Sequence, residues 1–141
     1  MVDYSLLKTK LSDTTLAGLT DEQIRVALNT KDIPVKVPIS VSKIKAYLQM
    51  VGKRLAVIDS VSIAARNAEV SFKDFETFDM TDPNYVARLD TILNDLVIEG
   101  LITATDKTAI LTLGDSAVSW ADQNWQGDVT LTDITNARAY V

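Results

Sequence analysis

The residues best placed to do chemistry lie in "DQNWQGDVTLTD", positions 122–133. Spaced as a calcium loop, Asp122, Asn124, Gln126, Asp128, Thr130 and Asp133 fall on the six positions that offer oxygen to the ion. Gly127 falls where such a loop turns sharply, and Val129 where it usually carries an apolar residue. Asp128 would contribute its backbone carbonyl and Thr130 a direct or water-mediated contact. Three features oppose a metal. Gln126 is long and neutral, Asp133 is a methylene shorter than the usual bidentate Glu, and only Asp122 and Asp133 bring side-chain charge. The same residues also make sense without an ion. Thr130 caps a helix, Asp133 answers it three residues later, Val129 and Ile134 staple across them, and Gly127 needs only a turn. The sequence therefore assigns no catalytic, cofactor-binding or metal residue and no cofactor. A weak calcium-binding module at 122–133 is kept as an alternative.

Two absences narrow the function classes. The 141 residues contain no Cys, which excludes thiolate nucleophiles, zinc–thiolate sites and disulfides. They contain no His, which removes the commonest general base and a Ser-His-Asp triad with it. Nothing arranges the remaining carboxylates, lysines and tyrosines for catalysis, and the expected class is not an enzyme. The five glycines are dispersed, so no phosphate-binding loop forms; "VGKRLA" lacks the upstream glycine. With 47% hydrophobic residues the chain can bury a core unaided, and its length suits a single helical domain over 1–141. No apolar run approaches the ~20 residues of a membrane span, and "MVDYSLLKTKLSD" does not read as a signal peptide. The expectation is a soluble, intracellular protein, or part of an assembly built inside a cell.

The elements that position these residues announce themselves by their starts. Thr20 with Gln23, Thr103 with Asp106, and Thr130 with Asp133 have the spacing of capping boxes. In "MTDPNY", Asp82 or Thr81 caps and Pro83 takes the first helical position. Tyr85, Leu89, Ile92, Leu93, Leu96 and Val97 form a helical stripe that Gly100 closes, and Val41, Ile44, Tyr47, Leu48 and Val51 form another that Gly52 ends. "KRLAVIDSVSIAARNAEV" reads as one longer helix whose Ala64, Ala65 and Ala68 permit close packing, and Ile110 and Leu113 continue a stripe to Gly114. Short helices are expected near 4–12, 21–28, 116–123 and 131–139. The fold class is all-α: a compact bundle of about seven to nine short helices with one extended Pro-flanked segment at residues 30–40.

That segment, "TKDIPVKVPIS", reads either as a surface connector with an isolated edge strand or as an arm that docks on a neighbour. Phe72, Phe75 and Phe78, interleaved with Asp74, Glu76 and Asp79, read as one helical turn plugging the core; an acidic-aromatic segment could also dock in a partner groove. Net charge is −5, unevenly spread. Through Arg66 there are ten basic and six acidic side chains, and beyond it four and thirteen. Either the two halves neutralise each other or the molecule has a basic and an acidic face suited to head-to-tail contact.

The ending "DVTLTDITNARAYV" is similar to the loop-to-helix calcium repeats of dockerin modules, which would make 122–133 EF-hand-like, but a second loop is absent. "LDTILNDLVIEGLIT" is similar to the helix-to-turn step of winged-helix proteins. Lys107 is the only positive side chain in 101–133, so no nucleic-acid sequence recognition is expected. The C-terminal run "LVIEGLITATDKTAILTLGDSAVSWADQNWQGDVTLTDITNAR" and the earlier "VALNTKDIPVKVPISVSKIKAYL" resemble small uncharacterised helical proteins encoded among the structural and tail genes of tailed bacteriophages. "SWADQNWQG" departs from their pattern, and those relatives lack the calcium ligands. The resemblance implies a non-enzymatic virion-associated or assembly protein acting through protein–protein contacts. Its partners would be other phage structural proteins or copies of itself, with no membrane, and its location the virion or the host cytoplasm. An acidic phage effector that inhibits a host or defence protein is the alternative.

Overall fold

The computed structural model describes residues 3–141. Its elements in chain order are α1 (Tyr4–Leu11), a 3₁₀ turn (Thr14–Leu16), α2 (Asp21–Asn29), β1 (Ile33–Lys36), β2 (Ile39–Ser40), α3 (Val41–Met50), α4 (Arg54–Asp59) and α5 (Ile63–Asp74). There follow β3 (Thr77–Phe78), α6 (Pro83–Ile98), α7 (Ala104–Thr112), β4 (Asp115–Val118), α8 (Trp120–Asn124) and α9 (Leu131–Ala139). The chain is mostly helical but not strictly all-α. β1 pairs with β4 in one two-stranded sheet and β2 with β3 in another.

The helices start where a side-chain oxygen can take an orphan N–H. Thr20 with Gln23, Thr103 with Asp106, and Thr130 with Asp133 form complete capping boxes, as does Ser119 with Asp122. Ser40, Ser62 and Asp82 cap α3, α5 and α6, and Pro83 holds the first turn of α6. Gly52 and Gly100 stop α3 and α6 in left-handed turns at φ +76° and +73°. In both, the next N–H reaches back to the helix (Lys53 to the Leu48 carbonyl at 2.8 Å, Leu101 to the Leu96 carbonyl at 3.0 Å), completing a Schellman motif.

The chain divides into two compact units, residues up to Val35 with Ala117–Val141, and Lys36–Ser116. The first contains α1, α2, α8 and α9. Leu7, Ile24, Leu28, Ala121, Val129 and Ile134 belong to its core. Asn29 joins its far ends in sequence. Its amide donates to the Val129 carbonyl and accepts from the Val129 N–H, both at 2.8 Å. The second unit packs α3 to α7 around Ile39, Ile44, Leu48, Phe78, Leu93 and Ile110, each fully enclosed. Gly114 lies against this core. A Cβ there would stand 2.8 Å from Met80 Cγ and 3.1 Å from Ile39 Cδ1, so the position needs room rather than unusual backbone.

Four expectations are corrected. The Pro-flanked segment is extended as expected but not isolated. Its second strand runs antiparallel to β3, with Ile39 opposite Phe78, and Val37 N–H donates to the Gly114 carbonyl at 2.9 Å. The single helix expected over 53–70 is two, because Ser62 Oγ caps Ala65 N–H while accepting from the Ser60 hydroxyl, and this local bonding breaks the run at 60–62. The helix expected at 116–123 is β4 followed by the short α8. Phe72, Phe75 and Phe78 do not share a helical turn. Phe72 lies in the last turn of α5, Phe75 is its C-cap and Phe78 sits on β3, yet Phe72 and Phe78 are core and Phe75 packs against it. Phe75, Phe78 and Tyr85 stack edge-on or tilted at 5.6–6.4 Å. Phe78→Ala is expected to destabilise the protein by about 3–5 kcal/mol and Phe75→Ala by clearly less, read from urea unfolding midpoints.

Candidate functional site

In the second unit a buried carboxylate governs how one short helix is presented. Asp106, 6% exposed, is the third residue of α7. Its Oδ2 accepts from Thr103 N–H at 2.9 Å and from the Lys53 ammonium, and its Oδ1 accepts from the Tyr47 hydroxyl at 2.9 Å. Burial alone would raise this carboxyl. Lys53, the Thr103 N–H and Tyr47 outweigh it and hold the group well below the usual carboxylate range. The same carboxylate, as hydrogen-bond acceptor, pushes the Tyr47 phenol up. Such a group is an anchored anion rather than a neutral-pH base, and Tyr47 is moved away from nucleophilic use.

What it positions is α4. This helix has six residues and no side-chain cap, and a helix so short has little stability of its own. It is held from three sides. Lys53, immediately before it, is bound to Asp106; Arg54 makes a two-pronged ion pair with Glu69 of α5; and Val57 is fully enclosed in the core. With Val57 turned inward, Leu55 and Ile58 project away from the core on a shared face. Leu55 is 66% exposed, and Met50, Val61 and Ile63 on either side are 77–79% exposed. With Val51 and Ile58, six large apolar side chains face solvent within residues 50–63. A groove of about 340 Å³ runs among Gln49, Gly52, Arg54, Leu55 and Ile58. Apolar side chains make up most of this exposed surface, which marks it as a candidate for contact with a partner.

The sequence pattern did not single out this face. Val51 reads as the end of the stripe that Gly52 closes, and "KRLAVIDSVSI" as the front of one longer helix. The available signal was a surplus, since Met50, Leu55, Ile58, Val61 and Ile63 exceed what one helical stripe can bury beside Val57.

The residues of the 122–133 reading lie in the first unit, and the structure does not gather them. Asp122 and Asn124 sit within α8, not on an open loop. Asp122 accepts from Ser119 N–H at 2.8 Å and pairs with Lys31 at 3.2 Å, and these two partners, in that order, draw its carboxyl below the usual range. Asn124 donates to the Trp120 carbonyl at 3.1 Å. Asp133 accepts from Thr130 N–H at 2.9 Å, and Gly127 turns at φ +83°. Among the described residues no group of three or more carboxylates converges to hold a metal ion.

Part of the uneven charge is paired. Lys31, Lys36, Lys53 and Arg54 from the basic half meet Asp122, Asp115, Asp106 and Glu69 from the acidic half. Each unit also mixes signs, with five basic and eight acidic side chains in the first and nine and eleven in the second. Among the described residues no helix is long and apolar enough to cross a membrane. No protein-family model matches the chain, and neither a curated protein nor a solved structure matches it.

Because Asp106 has a depressed folded-state pKa, its stabilisation is present above the unfolded carboxyl pKa of about 3.9 and is lost as pH falls below that value. Asp106→Asn is expected to cost about 1–3 kcal/mol at pH 7, a deficit that narrows steadily below about pH 4 in denaturant titrations. A deficit constant with pH would show that shape, not charge, carries the contribution.

Proposed function

We propose that this protein is a non-enzymatic bacteriophage virion-associated or assembly protein that works through protein–protein contacts, with the Met50–Ile63 face as a docking surface. The observation that carries the reading is apolar side chains held outward on a short helix fixed by two ion pairs. A free monomer gains nothing from exposing Leu55 and Ile58, whereas a partner that covers them gains about 1.5–3 kcal/mol for each fully buried side chain. The absence of Cys and His and the resemblance to phage structural-gene products support the same class.

Particles purified from the phage that encodes this chain are expected to contain it, or assembly intermediates to retain it, by quantitative mass spectrometry. Leu55→Asp with Ile58→Asp leaves the circular-dichroism spectrum unchanged and lowers that recovery by about tenfold or more. Recovery of the doubly substituted chain at the wild-type level would remove this face from the proposal. A single stoichiometric host protein captured in place of phage components would favour the effector alternative.

A further inference from the structure

We propose that the protein also pairs with a second copy of itself along α6, in a twofold antiparallel arrangement centred between Thr91 and Ile92. This goes beyond the docking face above and does not draw on Leu55 or Ile58. An open groove of about 510 Å³ lies between α5 and α6, lined by Ala64, Asn67 and Val70 on one side and Arg88, Thr91 and Asp95 on the other. Val70 is 55% exposed and offers apolar area at its rim.

The two charges identify the occupant. Arg88 and Asp95 are seven residues apart, two turns along one face of α6, a separation of about 10 Å. Among the described residues neither makes an ion pair, whereas Asp90 of the same helix is matched by Lys107 at 2.8 Å. The Arg88 guanidinium lies over the Phe75 ring, 5.0 Å from its centroid, a cation–π contact that favours this placement. A positive and a negative charge placed equally on either side of a midpoint are complementary to their own reversed copy. Turned end for end about Thr91–Ile92, a second α6 sets each Arg88 against the partner's Asp95, twice. An isologous twofold contact has this symmetry. A different protein would have to reproduce both the spacing and the reversed order, and a second copy does so by identity. Arg–carboxylate pairs of this kind contribute registration and specificity, while Val70 and the methylenes of the groove contribute burial.

Sedimentation velocity of the full chain over the micromolar range tests this. The wild type is expected to reach a dimer. Arg88→Asp and Asp95→Arg each place like charges opposite one another and weaken dimerisation by about tenfold or more. Mixed in equal amounts, these two variants restore complementarity at both ends, so they form a mixed dimer with near wild-type affinity. A chain that stays monomeric throughout, a dimer indifferent to both reversals, or a mixture that fails to associate would each overturn the proposal. Thr91→Arg is the second probe, since it blocks the crossing point whatever the end charges; circular dichroism establishes that each variant is folded. If a reversal does not fold, persistence of the dimer in Thr91→Arg alone refutes it. The assay reads self-association without any phage component, so its failure is distinct from failure of the docking-face reading.

Discussion

The second unit depends on one carboxylate doing a local and a long-range job at once. Asp106 answers Thr103 across the first turn of α7, as any capping-box residue does, and its remaining lone pairs accept from Tyr47 of α3 and Lys53 beside α4. Were it only a cap, α7 would start properly and float. Were it only an ion-pair partner, its burial would be a net cost. Three donors, the Thr103 N–H, the Tyr47 hydroxyl and the Lys53 ammonium, together let the charge stay inside. Through Lys53 this arrangement supplies one of the three holds on α4, beside the Arg54–Glu69 pair and the enclosed Val57.

How legible the fold was depends on whether each signal is local. Helix starts are written within four residues, which is why α2, α6, α7 and α9 could be placed from Thr20, Asp82, Thr103 and Thr130 alone. The Ser119–Asp122 box has the same form but was obscured, because Asp122 had a competing meaning as the first oxygen of a calcium loop. The strands were the opposite case. β2 and β3 have two residues each, and Lys36 meets Asp115 79 residues away, so no window of sequence contains both members of a pair. Prolines at 34 and 38 made the segment extended. They could not say what it would lie against.

Competition between a cap and a metal is a matter of where oxygen points. An ion needs lone pairs from an open loop to converge on one centre, whereas a cap turns the same carboxylate back onto its own helix N–H groups. Asp122 and Asp133 each accept from the N–H of the residue three before them, so the two groups serve two separate helix starts. The uneven charge along the chain has a parallel explanation. The early basic and late acidic residues could either neutralise each other or form opposite faces, and Lys31, Lys36, Lys53 and Arg54 take the first course by meeting late acids directly. Sequence asymmetry became internal pairing.

The exposed apolar face is the part of the candidate site that pattern reading could not reach, because burial is decided by what packs on a helix and not by its composition. Over 53–70 the apolar residues are numerous enough to suggest a helix enclosed on several sides, and the serines at 60 and 62 instead cut it in two. Only Val57 of α4 then finds the core. Leu55 and Ile58 are left outside on a helix whose position is set by Lys53 and Arg54, so a partner meets a surface that has already been ordered. Immobilising loose groups is one of the costs of association. An apolar pair anchored in this way escapes part of that cost, and this separates the Met50–Ile63 face from isolated exposed residues such as Val26, which lie singly on the surface of any protein.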